Sequence, residues 1–180
     1  YAGYDAIYAS GKVLEAGCWA HARRKFHDIH VQHPSAITTQ VLAQIAQLYK
    51  VEATIRGSPI HARYALRQAQ AKPLMDELYR YLGAQLEKIS RKSVTAEAIG
   101  YVMNHWVALT RYLDDGRIEI DNNAAERALR GVALGRKNYL FLGSDAGGER
   151  AATLYSLLET AKLNGLNPEA YLRDVLTIIA

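Results

Sequence analysis

With 180 residues, of which 49% are hydrophobic and 22% charged, the chain can bury the core of one ordinary domain and does not have the composition of a disordered protein. A formal charge of +4 and a pI near 9.1 permit a polyanionic partner without demanding one. The single cysteine, Cys18, excludes an internal disulfide and fits a reducing cytoplasm, and no apolar run approaches the roughly 20 residues that span a bilayer. The first residues, Tyr-Ala-Gly-Tyr-Asp, carry no basic region ahead of an apolar stretch, so no signal peptide is expected. A start at Tyr1 rather than Met favours a piece of a longer protein.

In chain order, Tyr4 to Tyr8 reads as a short helix closed by Ser10-Gly11, and Lys12 to Trp19 as a short buried strand. His21 to His30 reads as a helix with a strongly basic start, ended by Pro34-Ser35. Three amphipathic helices follow. Val41, Leu42, Ile45, Leu48, Tyr49 and Ile55 form the first stripe, punctuated by Gly57-Ser58-Pro59. Leu74, Met75, Leu78, Tyr81, Leu82, Leu86 and Ile89 form the second, entered through Pro73. Ile99, Val102, Met103, Trp106, Leu109 and Leu113 form the third, stopped by Asp114-Asp115-Gly116. Stripes of this kind mean core packing far more often than a ligand pocket, so residues 34–116 read as a helical insertion whose functional contribution would be one uncovered face.

Arg117 to Ile120 reads as a short extended lead-in to a helix for which Asn122 or Asn123 is the natural N-cap. Tyr139 to Leu142 is a second candidate strand, bounded by Gly143-Ser144. A helix is expected to start near Gly147-Gly148-Glu149, carry Leu154, Leu157, Leu158 and Ala161, and end at Asn164-Gly165. The last helix takes Asn167 as cap and Pro168 at its first position, with Tyr171, Leu172, Val175 and Ile179 on one face. The expected class is mainly α with a few short strands.

Four constellations could carry chemistry. Glu126 stands at the start of a helix, one turn ahead of Arg130. An acid buried among guanidinium groups suits a place where a divalent cation meets a nucleic-acid phosphate, although one glutamate cannot build a two-metal site. Spacing does not single it out from Glu119, Asp121, Asp145 and Glu149, and an exposed helical Glu paired with Arg130 is the plainer alternative. Cys18 and His21 form a Cys-x-x-His step followed by Arg23-Arg24-Lys25. With no second cysteine a structural zinc site is disfavoured, leaving a buried thiol with a hydrogen-bonded histidine, or a histidine and basic run beside a phosphate. His27, His30 and His33 recur every three residues, a chelate in principle but more simply a solvent-facing helix side. Arg130, Arg136, Lys137 and Arg150 flank Glu126 and the Gly147-Gly148 turn. That turn could present N–H groups to an anion, or the whole group could be ordinary solvated surface.

Several stretches resemble one family. They are Tyr1-Ala-Gly-Tyr, Cys18-Trp-Ala-His-Ala-Arg-Arg-Lys-Phe26, Ile120-Asp-Asn-Asn-Ala-Ala-Glu-Arg-Ala-Leu-Arg130, Gly135-Arg-Lys-Asn, Gly147-Gly-Glu-Arg and Thr160-Ala-Lys-Leu-Asn-Gly165. Together they are similar to the downstream half of the catalytic domain of DDE transposases, in particular the bacterial insertion-sequence family numbered sixty-six. The resemblance implies the C-terminal portion of a ribonuclease-H-like α/β domain with a helical insertion. Residues 1–33 would form part of the ribonuclease-H-like segment, 34–116 the insertion, and 117–180 the glutamate helix and the C-terminal helices.

It implies that Glu126 is a catalytic metal ligand for Mg²⁺ (or Mn²⁺), with His21 and Arg130 as close electrostatic supports. Arg23, Arg24, Lys25, Arg130, Arg136 and Lys137 would contact DNA, with Cys18, Asn122 and Asn123 as structural neighbours. Transposon-end and target DNA, a homo-oligomeric active complex and a bacterial cytoplasmic, nucleoid-associated setting are implied with it. The family's two aspartate ligands would lie upstream of Tyr1. The fragment alone is therefore expected to be inactive, and a non-catalytic helical DNA-binding or assembly module is the alternative. A helical protein–protein module is a third.

Overall fold

The computed structural model describes residue 11, residues 13–135 and residues 142–179. The fold is mainly helical, and the described residues contain no strand. The chain divides after Asn122 into two compact units.

Among the described residues the first unit is built on six helices and two short irregular turns. Helix α1 spans Trp19–Gln32 and packs against α2 (Ala36–Thr54). The start of α2 is fixed by a reciprocal cap: the Ser35 hydroxyl accepts from the Thr38 N–H at 3.2 Å, while the Thr38 hydroxyl accepts from the Ser35 N–H at 3.1 Å. Ser35 therefore opens the second helix as well as closing off the first. Next comes a helix that runs from α3 (Ile60–Leu66), through a π-helical turn at Arg67–Ala71, into α4 (Lys72–Leu86). Pro73 stands in the first turn of α4, as expected, and helical backbone also extends 13 residues upstream of it. A proline removes one backbone donor and crowds the carbonyl four residues back. Here that carbonyl, on Ala69, lies inside the widened turn, which takes up the misfit without breaking the helix. The third stripe is also broken. Helix α5 (Val94–Asn104) is capped by Ser93, gives way at His105 to α6 (Trp106–Thr110), and ends in a tight turn at Arg111–Leu113.

The apolar stripes do face inward. Val41, Ile45 and Leu48 of α2, Met75, Leu78 and Leu82 of α4, and Ile99 and Val102 of α5 close on Trp19 and Phe26 of α1. The more peripheral stripe residues, among them Leu42, Tyr49, Tyr81, Ile89 and Trp106, are half-buried around this core. One charged pair is sealed in with it. Arg67, with 0% exposure, donates from Nε to Glu52 Oε1 at 2.8 Å and from Nη2 to Glu52 Oε2 at 2.7 Å. Its Nη1 donates to the carbonyls of Tyr112 at 2.7 Å and Asp115 at 3.1 Å. The guanidinium thus ties α2 to the end of the third helical stretch.

The strand expected at Lys12–Trp19 is not formed over its described residues. Val13 and Leu14 are 46% and 66% exposed, and Trp19 already belongs to α1. The backbone here bonds to a helix end and a loop instead: the Gly17 N–H donates to Ala108 O at 2.8 Å and the Trp19 N–H to Ile120 O at 3.1 Å. Gly17 permits this approach, because a Cβ there would meet the Leu109 backbone nitrogen at 2.9 Å. Residues Arg117–Ile120 likewise make a turn, with the Ile118 N–H donating to Asp115 O. The helix expected at Tyr4–Tyr8 and the strand residues Tyr139–Phe141 lie outside the described residues.

The second unit holds α7 (Asn123–Gly135), α8 (Asp145–Leu163) and α9 (Pro168–Ile179). Helix α8 packs with both of its neighbours. It begins at Asp145, slightly before the Gly147-Gly148 pair, because the Ser144 hydroxyl caps the Gly147 N–H at 3.1 Å. Asn167 caps α9 through the N–H groups of Glu169 and Ala170. In contrast to the first unit, Gly135 and Ala161 are its buried residues among those described, while Leu163, Ile178 and Ile179 are 85%, 83% and 72% exposed.

Candidate functional site

The candidate residues fall into two sets, one in each unit. In the second unit, α7 starts at Asn123, directly after Asn122, and carries Glu126 in its first turn. A carboxylate there is favoured by the partial positive charge of the unsatisfied N–H groups. Asn123, Glu126, Arg127, Leu129, Arg130 and Ala133 line an open concavity of about 450 Å³. Glu126 and Arg130, one helical turn apart, are both exposed. The expectation of an acid buried among guanidinium groups is therefore corrected. The described part of this unit has few large side chains turned inward and supplies no wall to bury a helix-surface carboxylate. Arg136 and Lys137 lie outside the described residues.

In the first unit, Cys18 precedes α1 in extended conformation and is half-buried, as is His21 in the first turn of the helix. Arg23, Arg24 and Lys25 are exposed. Lys25 reaches to α5, where its Nζ lies 4.5 Å from the Tyr101 ring centroid. Helix α1 thus gathers Cys18, His21 and the basic run, and α7 gathers Asn123, Glu126 and Arg130.

The histidine repeat does not converge. His30 hydrogen-bonds the Thr38 hydroxyl at 2.8 Å, and His27 lies 3.5 Å from Asp28. No group of three or more His, Cys, Asp or Glu among the described residues is arranged to hold a metal ion. The amides of the Gly147-Gly148 turn are committed as well, to the Ser144 hydroxyl and to Ser144 O at 3.0 Å.

A small polar cavity of about 100 Å³, lined by Tyr49, Glu52, Arg56, Arg63, Glu119 and Asp121 among others, was not foreseen. The Tyr49 hydroxyl donates to Asp121 Oδ2 at 3.0 Å, and Arg63 pairs with Glu119 at 2.8 Å. Burial, and then the Asp121 carboxylate, hold the Tyr49 hydroxyl far above its ordinary value, so it remains a donor. In the sequence Tyr49 is one member of an apolar stripe. Its place at the edge of that stripe is the signal that its oxygen reaches a polar partner.

A helical chain with a first-turn carboxylate beside arginine on one helix and a basic run on another is, by comparison, a transposase-related protein. Residues 1–150 match the model described as Transposase IS66 family, and residues 156–180, from α8 to the end of α9, match the IS66 C-terminal element. The chain belongs to the IS66 transposase family. It is 44% identical over 165 residues to the uncharacterized protein y4qI of Sinorhizobium fredii (strain NGR234), covering 92% of this chain and 31% of that protein. It is 44% identical over 161 residues to y4jD of the same organism, covering 89% and 32%. With y4hP, also of that organism, it shares 36% identity over 196 residues, covering 100% and 36%. The chain thus spans about a third of the length of the curated relatives it matches. No solved structure gives a significant match. No helix among the described residues is long and apolar enough to cross a membrane.

Proposed function

We propose that the chain is the C-terminal catalytic-domain portion of a DDE transposase that cleaves DNA strands and joins them in transposition. Membership of the IS66 family carries this reading, and the position of Glu126 in the first turn of an arginine-bearing helix fits it. In the whole protein a phosphodiester at the transposon end is hydrolysed to a free 3′-hydroxyl. That hydroxyl displaces a phosphodiester oxygen of target DNA in line, with no covalent protein–DNA intermediate. Arg23, Arg24, Lys25, Arg130, Arg136 and Lys137 neutralise phosphates in this reading, and His21 supports the charge near the reacting strand. Asn122 and Asn123 set the start of the glutamate helix.

The resemblance implies Mg²⁺ or Mn²⁺ with two further aspartates. The described residues alone do not fit a two-ion site, because Glu126 stands with Asn123 and two arginines rather than with other acids. Completion of the site, of the ribonuclease-H-like sheet and of its division into segments 1–33, 34–116 and 117–180 therefore rests with the rest of the protein. A homo-oligomeric complex on transposon-end and target DNA in a bacterial cytoplasm belongs to the same reading.

The decisive experiment is strand transfer by the full-length transposase carrying Glu126→Gln. Loss of more than about a hundredfold in rate with retained DNA binding is expected for a metal ligand, and unchanged strand transfer refutes the role. The exposure of Glu126 keeps one alternative in view, a non-catalytic helical DNA-binding or assembly module. DNA binding indifferent to Glu126 and to divalent ions, from a gene without upstream aspartates, establishes that alternative.

A further inference from the structure

We propose that the place where α1 packs on α5 is a single-strand DNA site. Arg23, Arg24 and Lys25 hold the phosphates there, and the Tyr101 and His105 rings stack an unpaired base. The inference rests on the DNA-binding reading above and assigns to it two residues of the helical section that stand outside its apolar stripe.

The geometry is that of a prearranged ring platform beside one cation, the Lys25 ammonium. The Tyr101 and His105 rings, one helical turn apart, are 4.4 Å apart at centroids and tilted by 32°. The His105 Nδ1–H donates to Tyr101 O at 2.8 Å, which fixes the imidazole plane. Both side chains are half-buried, so they are held in place yet partly open. Burial first, and then Cys18 and Glu15, raise the Tyr101 hydroxyl above its ordinary value, so the ring stays neutral. The Lys25 ammonium over this ring makes a cation–π contact that a flexible side chain can exchange for an arriving phosphate.

Neighbouring rings brace the same region. Tyr79 of α4, 42% exposed, lies 4.8 Å from the Trp106 ring, which meets the buried Trp19 edge-on at 6.1 Å. Trp19 is pinned by its Nε1–H to Leu109 O at 2.9 Å.

Chemistry chooses the ligand. Rings partly open beside exposed cations match a strand that offers both π faces and phosphates. Bases inside a duplex are stacked on both sides and cannot offer a face, whereas an unpaired base can. A ring already fixed by a hydrogen bond, as His105 is, loses little freedom when a base stacks on it.

The test is fluorescence anisotropy with the full chain, using an oligo-dT strand, an abasic strand of the same length and a duplex. The wild type is expected to bind oligo-dT at least fivefold more tightly than the abasic strand. Tyr101→Leu, which keeps apolar volume, is expected to erase that difference and leave duplex binding within twofold, whereas Tyr101→Phe retains it. His105→Leu is expected to reduce it. Lys25→Met is expected to weaken all three ligands and to lower the slope of log affinity against log salt by about 1. Circular dichroism and a melting curve on each variant show that folding is intact. Equal binding of oligo-dT and abasic strand by the wild type, or a preference that survives Tyr101→Leu, overturns the stacking site while leaving phosphate binding in place. No affinity for any DNA at low salt overturns the DNA-binding reading and this inference with it.

Discussion

Removing Arg67 tests how the first unit is held together. The side chain has no exposed surface, and its four hydrogen bonds go to the two Glu52 oxygens and to the carbonyls of Tyr112 and Asp115. Arg67→Met leaves a buried carboxylate whose nearest remaining cation is Arg63 at 3.8 Å, together with two carbonyls short of a donor. Breaking one side of a buried pair costs about 3–5 kcal/mol, a large share of the ~5–15 kcal/mol that holds an ordinary domain. A fall in melting temperature of roughly 10–20 °C follows for a unit of this size. Glu52→Leu is expected to cost at least as much, because an orphaned glutamate can take up a proton whereas an orphaned arginine cannot lose one. The double variant, which removes both charges, should recover about half or more of the loss, since a well-packed apolar replacement of a buried pair is often neutral. Urea unfolding of the wild type, the two single variants and the double variant closes the cycle. A single substitution costing under about 1 kcal/mol, or a double variant no better than the worse single, would refute the claim that this pair is desolvated and coupled.

Other perturbations read separate contacts. The Arg117 side chain and backbone N–H hold the Asp115 carboxyl down at about 2. Its contribution to stability is therefore complete above the ordinary aspartate value and is lost as pH falls through that range towards 2. An NMR titration placing Asp115 at its ordinary value contradicts the contact. Gly116→Ala places a Cβ 2.1 Å from Ile60 O and should destabilise the unit measurably, whereas Gly83→Ala, inside α4 with nothing within 4 Å, should stabilise it. The expected gain at Gly83 is roughly 0.5–1 kcal/mol, and equal melting shifts for the two variants count against the packing described. Tyr49→Phe removes the donor to Asp121 and should lower stability by about 1 kcal/mol, measured by the same unfolding curves. The chain by itself should show no strand transfer in the presence of Mg²⁺, and robust cleavage by it would overturn the view that other parts of the protein complete the site.

Periodicity made the helical core legible because burial of one helix face repeats every three to four residues. Val41, Ile45 and Leu48, like Met75, Leu78 and Leu82, are at once a pattern in the sequence and a buried surface in the fold. What periodicity could not show is how the backbone copes with local conflict. Pro73 normally marks a helix start, and only the widened turn at Arg67–Ala71 lets the helix run through it. The same turn carries Arg67 into the core. The strand expected before Trp19 failed for a different reason. A short apolar run is neutral between strand and loop until a partner is present, and Gly17 gives this one to Ala108 instead.

The candidate site is legible as a family resemblance rather than as geometry. Asp121-Asn122-Asn123 through Arg130 is one of the stretches that carry the resemblance, and α7 starts at Asn123 within it. Burial of Glu126 could not follow from them, because burial depends on what packs over a helix, and α7 buries only Gly135 among its own residues. A lone apolar residue on a helix surface needs no explanation. A unit whose Leu163, Ile178 and Ile179 are all largely exposed has unmet packing capacity. The residues around Glu126 specify where the helix begins and which cations stand near it.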